Sequence, residues 1–236
     1  MNMDLTIALT CEYICNRQKC QTYLEYIEID PKLYEYVYAI HKYDEITNKK
    51  SIRKLLINKI CPNLSQFPHL IMLECGVDFN QKLPTLPNTI TYLEFMWYFN
   101  YKLPKLPSQL THLIFTGMFN KQLPKLPESL LCLVLSDRFN HPLPQLPNKL
   151  RILILGLYFD CRLPKLPESL HLLNLGYGFN IRSPKLPDKL QYLYLSHVFM
   201  WRLPKLPNSL IEICAYNHYI HLNLLRSLVG DKLVVR

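Results

Sequence analysis

One motif dominates this sequence, because versions of it return every 20 residues. The clearest copy reads Phe-Asn-His-Pro-Leu-Pro-Gln-Leu-Pro at residues 139–147. Every copy begins with Phe or Tyr, at positions 79, 99, 119, 139, 159, 179, 199 and 219. A fixed period of this length predicts a repeat architecture, in which each period forms one structural unit that stacks on the next.

The other half of each period carries the pattern Leu-x-x-Leu-x-Leu. In the central copy the leucines are Leu150, Leu153 and Leu155, and equivalent triplets recur from Ile90 to Ala215. Earlier triplets begin at Ile52 and Leu70, a step of 18 residues. The last two members alternate with period two, so each triplet predicts a short strand with one face on a core. We expect stacked parallel strands within 90–96, 110–116, 130–136, 150–156, 170–176 and 190–196.

The Leu-Pro-x-Leu-Pro segment of each repeat is incompatible with a helix interior, because its prolines remove backbone donors and favour extended geometry in the preceding leucines. Polyproline II has three residues per turn and places Leu143 and Leu146 on one side, facing inward. The sequence therefore predicts an α/β fold: a right-handed solenoid of 20-residue repeats, with a parallel sheet on one face and polyproline-like segments on the other.

The two ends of the chain lack the regular period. In residues 1–51, Asp30-Pro31 is typical of a helix start, and Leu33, Tyr36, Val37 and Ile40 follow at helical spacing. Residues 219–236 drift out of phase and show helical spacing from Leu222. We expect small helical caps at both ends of the array. The predicted divisions are a lead-in at 1–51, repeats at 52–218 and a C-terminal cap at 219–236.

Composition favours a soluble intracellular protein. The 236 residues contain no long apolar run. The first residues carry the acidic Asp4 before a short apolar patch, whereas a signal peptide carries basic residues there. The eight cysteines include no Cys-x-x-Cys pair and are scattered through the repeat, which predicts reduced structural thiols rather than a metal site. Cys132, expected on the sheet, is the thiol to test for reactivity, although we expect it to be inert.

Sequence motifs argue against catalysis. There is no phosphate loop, Gly-x-Ser-x-Gly or His-Glu-x-x-His sequence, and the eight histidines fall in different phases of the repeat. The repeat itself therefore aligns no histidine with a carboxylate. We expect a protein that is not an enzyme and needs no cofactor or metal.

The strand positions between the core leucines indicate a protein-binding surface. A sheet face that meets water should be mostly polar, yet these positions are largely apolar or aromatic. The alternative is that such residues simply suit strands. We predict a partner along the exposed sheet face, contacting Tyr92, Ile152, Ile154, Leu172, Tyr192 and Tyr194.

A basic stripe gives a second candidate surface. Residues 79–218 contain fifteen Lys and Arg against seven Asp and Glu, a net charge of +8. The stripe consists of Lys102, Lys105, Lys125, Arg162, Lys165, Arg182, Lys185, Arg202 and Lys205. Such a stripe matches a phosphate backbone, but no aromatic residue interleaves with it to stack bases. The sequence favours solvation of these charges over nucleic-acid binding, which stays an alternative.

These motifs carry a family resemblance. Leu-x-x-Leu-x-Leu resembles the leucine-rich repeat superfamily, and Leu-Pro-x-Leu-Pro is similar to its short bacterial type. Over residues 67–218 the chain more closely resembles FNIP-repeat proteins, whose Phe-Asn-x-Pro-like core is matched best by Phe139-Asn140-His141-Pro142. This resemblance implies a source among giant DNA viruses of amoebae or social amoebae.

The resemblance raises two further questions. Ordinary leucine-rich repeats contain a buried asparagine ladder, whereas Asn80, Asn100, Asn120, Asn140 and Asn180 stand beside the Phe, so a ladder would lie in a shifted turn. In the viral family such arrays often follow an F-box that recruits a ubiquitin ligase. Residues 8–13 resemble its later part without the usual Leu-Pro. A substrate-recognition subunit with a degenerate F-box, bound to a ligase adaptor, is therefore an alternative function.

Overall fold

The computed structural model describes residues 37–40 and 49–235. Their strands form one eleven-stranded sheet in which spatial order follows chain order, and every neighbouring pair is parallel. The strands are β1 (Val37–Ile40), β2 (Lys54–Ile57), β3 (Met72–Cys75), β4 (Tyr92–Phe95), β5 (His112–Phe115), β6 (Cys132–Val134), β7 (Ile152–Ile154), β8 (Leu172–Asn174), β9 (Tyr192–Tyr194), β10 (Glu212–Ala215) and β11 (Leu233–Val235).

Helical structure is sparse in the described residues. Helix α1 (Leu222–Val229) connects β10 to β11. Short 3-10 helices lie at Lys49–Ser51, Leu64–Gln66 and Gly230–Lys232. The Leu-Pro segments between the strands contain neither helix nor strand, so the protein is a parallel solenoid with one strand in each turn.

The register confirms the 20-residue repeat and shows where it begins. Val37 pairs with Lys54 at an offset of 17, and Lys54 pairs with Met72 at an offset of 18. From Met72↔Tyr92 the offset is 20. The strands predicted within the six ranges from 90–96 to 190–196 are all present.

The core lies between the sheet and the Leu-Pro segments. Leu153 in β7 and Leu155 directly after it are fully buried, and Leu143 and Leu146 are buried as predicted. Behind the strands, the repeated Phe residues from Phe79 to Phe199 stack with centroid separations of 5.9 to 6.3 Å. Each rung therefore depends on contacts with its neighbours, as expected for a solenoid.

The predicted N-terminal helix is wrong over Val37–Ile40, which form strand β1 instead. The sequence Val-Tyr-Ala-Ile is rich in side chains that suit strands, and the edge of β2 offers unpaired backbone groups that a short helix would leave unused. The rest of the predicted helix and the F-box-like residues 8–13 lie outside the described residues.

At the other end, the sheet continues further than the sequence pattern indicates. The expected helix is present as α1. However, Ile213 pairs with Leu233 at the same 20-residue offset, so residues 233–235 again occupy the strand positions of the repeat. Here a helix replaces the Leu-Pro segment between two strands.

An asparagine ladder forms in the turn beside the Phe stack. The Asn80 side chain accepts a hydrogen bond from the Asn100 N–H at 3.1 Å, and the pattern continues to the Met200 N–H. Asp160 fits because the ladder needs only a side-chain oxygen, which accepts from the Asn180 N–H at 3.0 Å. Met200 fits as the last donor because its backbone supplies the N–H.

Candidate functional site

The side of the sheet that points away from the core, here called the sheet face, carries two columns of side chains. Strand alternation places residues 92 and 94 and their equivalents there, and the register aligns Tyr92 with His112 and Glu94 with Ile114. A second apolar cluster, separate from the core, forms from Met72, Tyr92, Ile114, Cys132, Val134, Ile152, Leu172, Tyr194 and Cys214.

All six residues predicted to bind a partner belong to this cluster or pack against it. The expectation that they are solvent-exposed is wrong for four of them. Ile154 and Tyr192 are half-buried, whereas the other four, namely Tyr92, Ile152, Leu172 and Tyr194, are buried. Rungs about 4.8 Å apart let large side chains cover the flanks of their neighbours.

The sheet face is charged toward its N-terminal end. The Lys54 ammonium lies 2.8 Å from the Glu74 carboxylate, and both side chains are buried. On the next strand the Tyr92 hydroxyl donates to Glu94 Oε2 at 2.6 Å. Desolvation, together with the nearby Glu74 charge, raises the pKa of Glu94 to about 7 despite the hydrogen bond from Tyr92.

His112 stands beside this cluster, with its ring centroid 5.6 Å from that of Tyr92. The Thr111 hydroxyl donates its single proton to the Thr91 carbonyl at 2.8 Å, so His112 Nδ1–H donates to that hydroxyl oxygen at 2.8 Å. His112 Nε2 is then an acceptor, and it has no hydrogen-bond partner among the described residues. Burial lowers the pKa of His112 to about 4.

The opposite end of the sheet face is polar but differently built. The Tyr194 hydroxyl donates to Glu212 Oε1 at 3.3 Å, and the Asn174 side chain accepts from the Gly176 N–H at 2.9 Å. Both ends are therefore hydrogen-bonded, while the strands between them, around Ile152 and Leu172, present an apolar middle.

The basic stripe predicted from the sequence lies on the surface. All nine of its side chains are exposed. Lys185 pairs with Asp188 at 3.9 Å, and both groups are open to water. An exposed pair of this kind contributes little to stability, so the stripe leaves most of its positive charge available.

Comparison with known proteins identifies the repeats. Residues 79–118 match the FNIP Repeat family, and the same 20-residue register extends from β3 to β11. Residues 79–118 are FNIP repeats, and the other turns of the array share their spacing. No curated protein matches the sequence significantly.

Two solved structures are similar to this solenoid. CroV588, described as a novel circular LRR protein, is 32% identical over 72% of this chain, with a TM-score of 0.63. YopM from Yersinia enterocolitica WA-314 is 19% identical over 78% of the chain, with a TM-score of 0.51, and shows the fold alone. The chain spans 28% of the CroV588 chain and 53% of the YopM chain.

Sequence reasoning missed a set of exposed aromatic residues in the repeat array. They flank the buried Phe of four turns, Phe99, Phe159, Phe179 and Phe199. We call this surface the aromatic edge: Trp97, Tyr98, Tyr101, Tyr158, Tyr177 and Trp201, each between 44% and 58% exposed. These residues do not recur at one position of the 20-residue repeat, so comparison of equivalent positions did not identify them. Their closeness in sequence to the repeated Phe could have indicated them.

Backbone hydrogen bonds join the loops of neighbouring rungs along much of this edge. The Met118 N–H donates to the Trp97 carbonyl at 2.7 Å, the Tyr158 N–H to the Asp137 carbonyl at 3.0 Å, and the Gly178 N–H to the Leu157 carbonyl at 2.7 Å. Gly117 is needed for this approach, since an added Cβ would lie 2.2 Å from the Trp97 backbone. The exposed rings therefore stand on hydrogen-bonded loops.

Reactive and metal-binding groups are scarce in the described part of the chain. Burial raises the pKa of the Cys132 thiol to about 12, which disfavours the nucleophilic thiolate. Across residues 49–235, no three His, Cys, Asp or Glu side chains are grouped to hold a metal ion. The described helices are also too short or too polar to span a membrane.

Proposed function

We propose that this chain is a non-enzymatic scaffold that binds a protein partner along its sheet face. Leucine-rich-repeat-like folds commonly mediate protein–protein interaction. In this chain no catalytic residue type recurs at one position of the repeat. The observation that carries the proposal is the second apolar cluster, which lies on the side of the sheet opposite the core.

Contact is expected to centre on the two cluster neighbours that keep accessible surface. Ile154 and Tyr192 are half-buried and pack against the cluster from β7 and β9. The buried members between them give these side chains a rigid apolar base. Tyrosine at the centre of an interface is a common anchor, whose removal often costs about 2 kcal/mol or more of binding.

The test is affinity capture from cells of the source organism, followed by titration of the purified partner. We expect Tyr192→Ala and Ile154→Lys each to lose the captured protein, and Tyr192→Ala to weaken its binding about 30-fold. Tyr98→Ala/Tyr101→Ala is the matched control, because it removes exposed tyrosines away from the sheet face. Equal capture by all folded variants would refute the proposed surface.

A further inference from the structure

We propose that the aromatic edge of the array binds single-stranded nucleic acid. The inference uses a surface separate from the sheet face, so it stands or falls independently of the proposed protein partner. It begins from the large exposed rings: Tyr158 is 58% exposed, and Trp97 and Trp201 are 51% and 47% exposed. Exposed rings on ordered loops are the platforms on which unpaired bases stack.

Cations accompany these rings. The Arg138 guanidinium lies 5.5 Å from the centre of the Tyr158 ring, a cation–π arrangement that offers a base both a flat surface and a positive charge. Lys102 and Arg202 directly follow Tyr101 and Trp201, and all four side chains are exposed. The basic stripe and the aromatic edge therefore meet in these two turns, so the prediction that no aromatic residue interleaves with the stripe is wrong there.

Stacking also continues from ring to ring at the C-terminal part of the edge. The Tyr177 ring stacks on His197 with centroids 4.6 Å apart and planes 10° apart. His197 in turn lies 4.3 Å from the centroid of His218, with the two planes tilted by 54°. These rings cover one another's facing sides, so a base would stack on the outer faces of this aromatic group.

The acidic residues near the edge are already engaged with the backbone. The Asp160 carboxylate accepts the Asn180 N–H in the ladder, and a backbone hydrogen bond from Leu157 lowers the pKa of Asp137 against the larger rise from burial. Residues 79–218 carry a net charge of +8. Charge therefore favours a polyanion, while the rings favour one whose bases are unpaired rather than a duplex.

Both tryptophans of the chain belong to the aromatic edge, so intrinsic fluorescence reports on this surface directly. We would titrate the full chain with a thymidine oligonucleotide long enough to span the rungs. We expect saturable quenching, and about 50-fold weaker binding when salt rises fourfold if about four phosphates are contacted. Absence of quenching and of an anisotropy change at low salt would overturn the proposal.

Variants separate base stacking from charge alone. Tyr158→Ala and Tyr177→Ala should each weaken binding about tenfold, and Arg162→Gln/Arg182→Gln should reduce the salt dependence. Tyr192→Ala on the sheet face should bind as the wild type does. If Lys105→Glu/Lys125→Glu abolishes binding while both tyrosine variants keep full affinity, or if duplex binds as well as the single strand, the aromatic edge is not the site.

Discussion

The buried Glu94 carboxyl gives the sharpest prediction on stability. Its side chain has no exposed surface, and desolvation raises its pKa from 4.5 to about 7. The Tyr92 hydrogen bond and the Lys54 charge lower the pKa, but neither offsets burial. At pH 5 to 6 the folded protein therefore keeps a proton on Glu94 that the unfolded chain has lost.

The sign of the pH dependence follows from this difference. Because the folded-state pKa is raised, the stability contributed by Glu94 is fully present below pH 4.5 and is lost as pH rises through about 7. The shift corresponds to about 3 kcal/mol, at about 1.4 kcal/mol for each pKa unit. His112 opposes it, since burial lowers its pKa from 6.5 to about 4 and stability is lost as pH falls through that window.

Glu94→Gln should remove the Glu94 contribution and leave that of His112. We expect urea unfolding to give similar stabilities for the variant and the wild type at pH 4, below both pKa values of Glu94. By pH 7 the variant should be about 3 kcal/mol more stable. Asp231→Asn, at an exposed site, should follow the wild type at every pH. Parallel curves for Glu94→Gln and the wild type between pH 5 and 7 would refute a protonated, buried Glu94.

Three further predictions test the array. Deleting residues 119–138 removes one whole repeat and should leave a shorter, folded solenoid by circular dichroism, because the flanking rungs present matching faces. Deleting only residues 119–128 should unfold it. Equal folding of both variants would show that the repeat unit is wrong. Asn120→Ala should lower the free energy of unfolding in urea by about 1 kcal/mol, because the Asn140 N–H loses its acceptor. Asn120→Asp keeps an acceptor oxygen and should lower it much less. Equal decreases for the two variants would contradict the ladder. The Cys132 thiol, with its pKa raised to about 12 by burial, should resist alkylation at pH 8 until urea is added, and fast labelling of the folded protein by mass spectrometry would contradict its burial.

The solenoid could be predicted from sequence because its core repeats the same chemistry in every turn. Leu113, Leu133 and Leu153 occupy one position of the period, and all three are fully buried on aligned strands. Strand β1 could not be predicted in this way, because its offset of 17 from β2 falls outside the period. There, pairing with an open sheet edge outweighed the helical spacing of Val37 and Ile40.

The candidate sites were predicted less completely. The repeat placed Tyr92 and Ile152 on the sheet face. Their burial depends on how far large side chains of adjacent rungs overlap, and residue spacing alone does not predict that overlap. The pairing of Arg138 with Tyr158 likewise joins side chains from different turns. Contacts between non-equivalent positions of neighbouring repeats cannot be predicted from the repeat pattern.

The contrast between constant and changing positions suggests where function lies in this chain. The stacked Phe of each turn and the leucine of each strand hardly change from rung to rung, because each must fit the same neighbours above and below. The loop that precedes the stacked Phe is Met-Trp-Tyr at 96–98, Ser-Asp-Arg at 136–138 and Gly-Tyr-Gly at 176–178. Stacking alone does not require such variety, since the same ladder and Phe contacts form in all three turns. Positions that the fold leaves free, and that carry exposed rings and charge, are therefore the ones at which substitutions should alter binding while the urea midpoint stays unchanged.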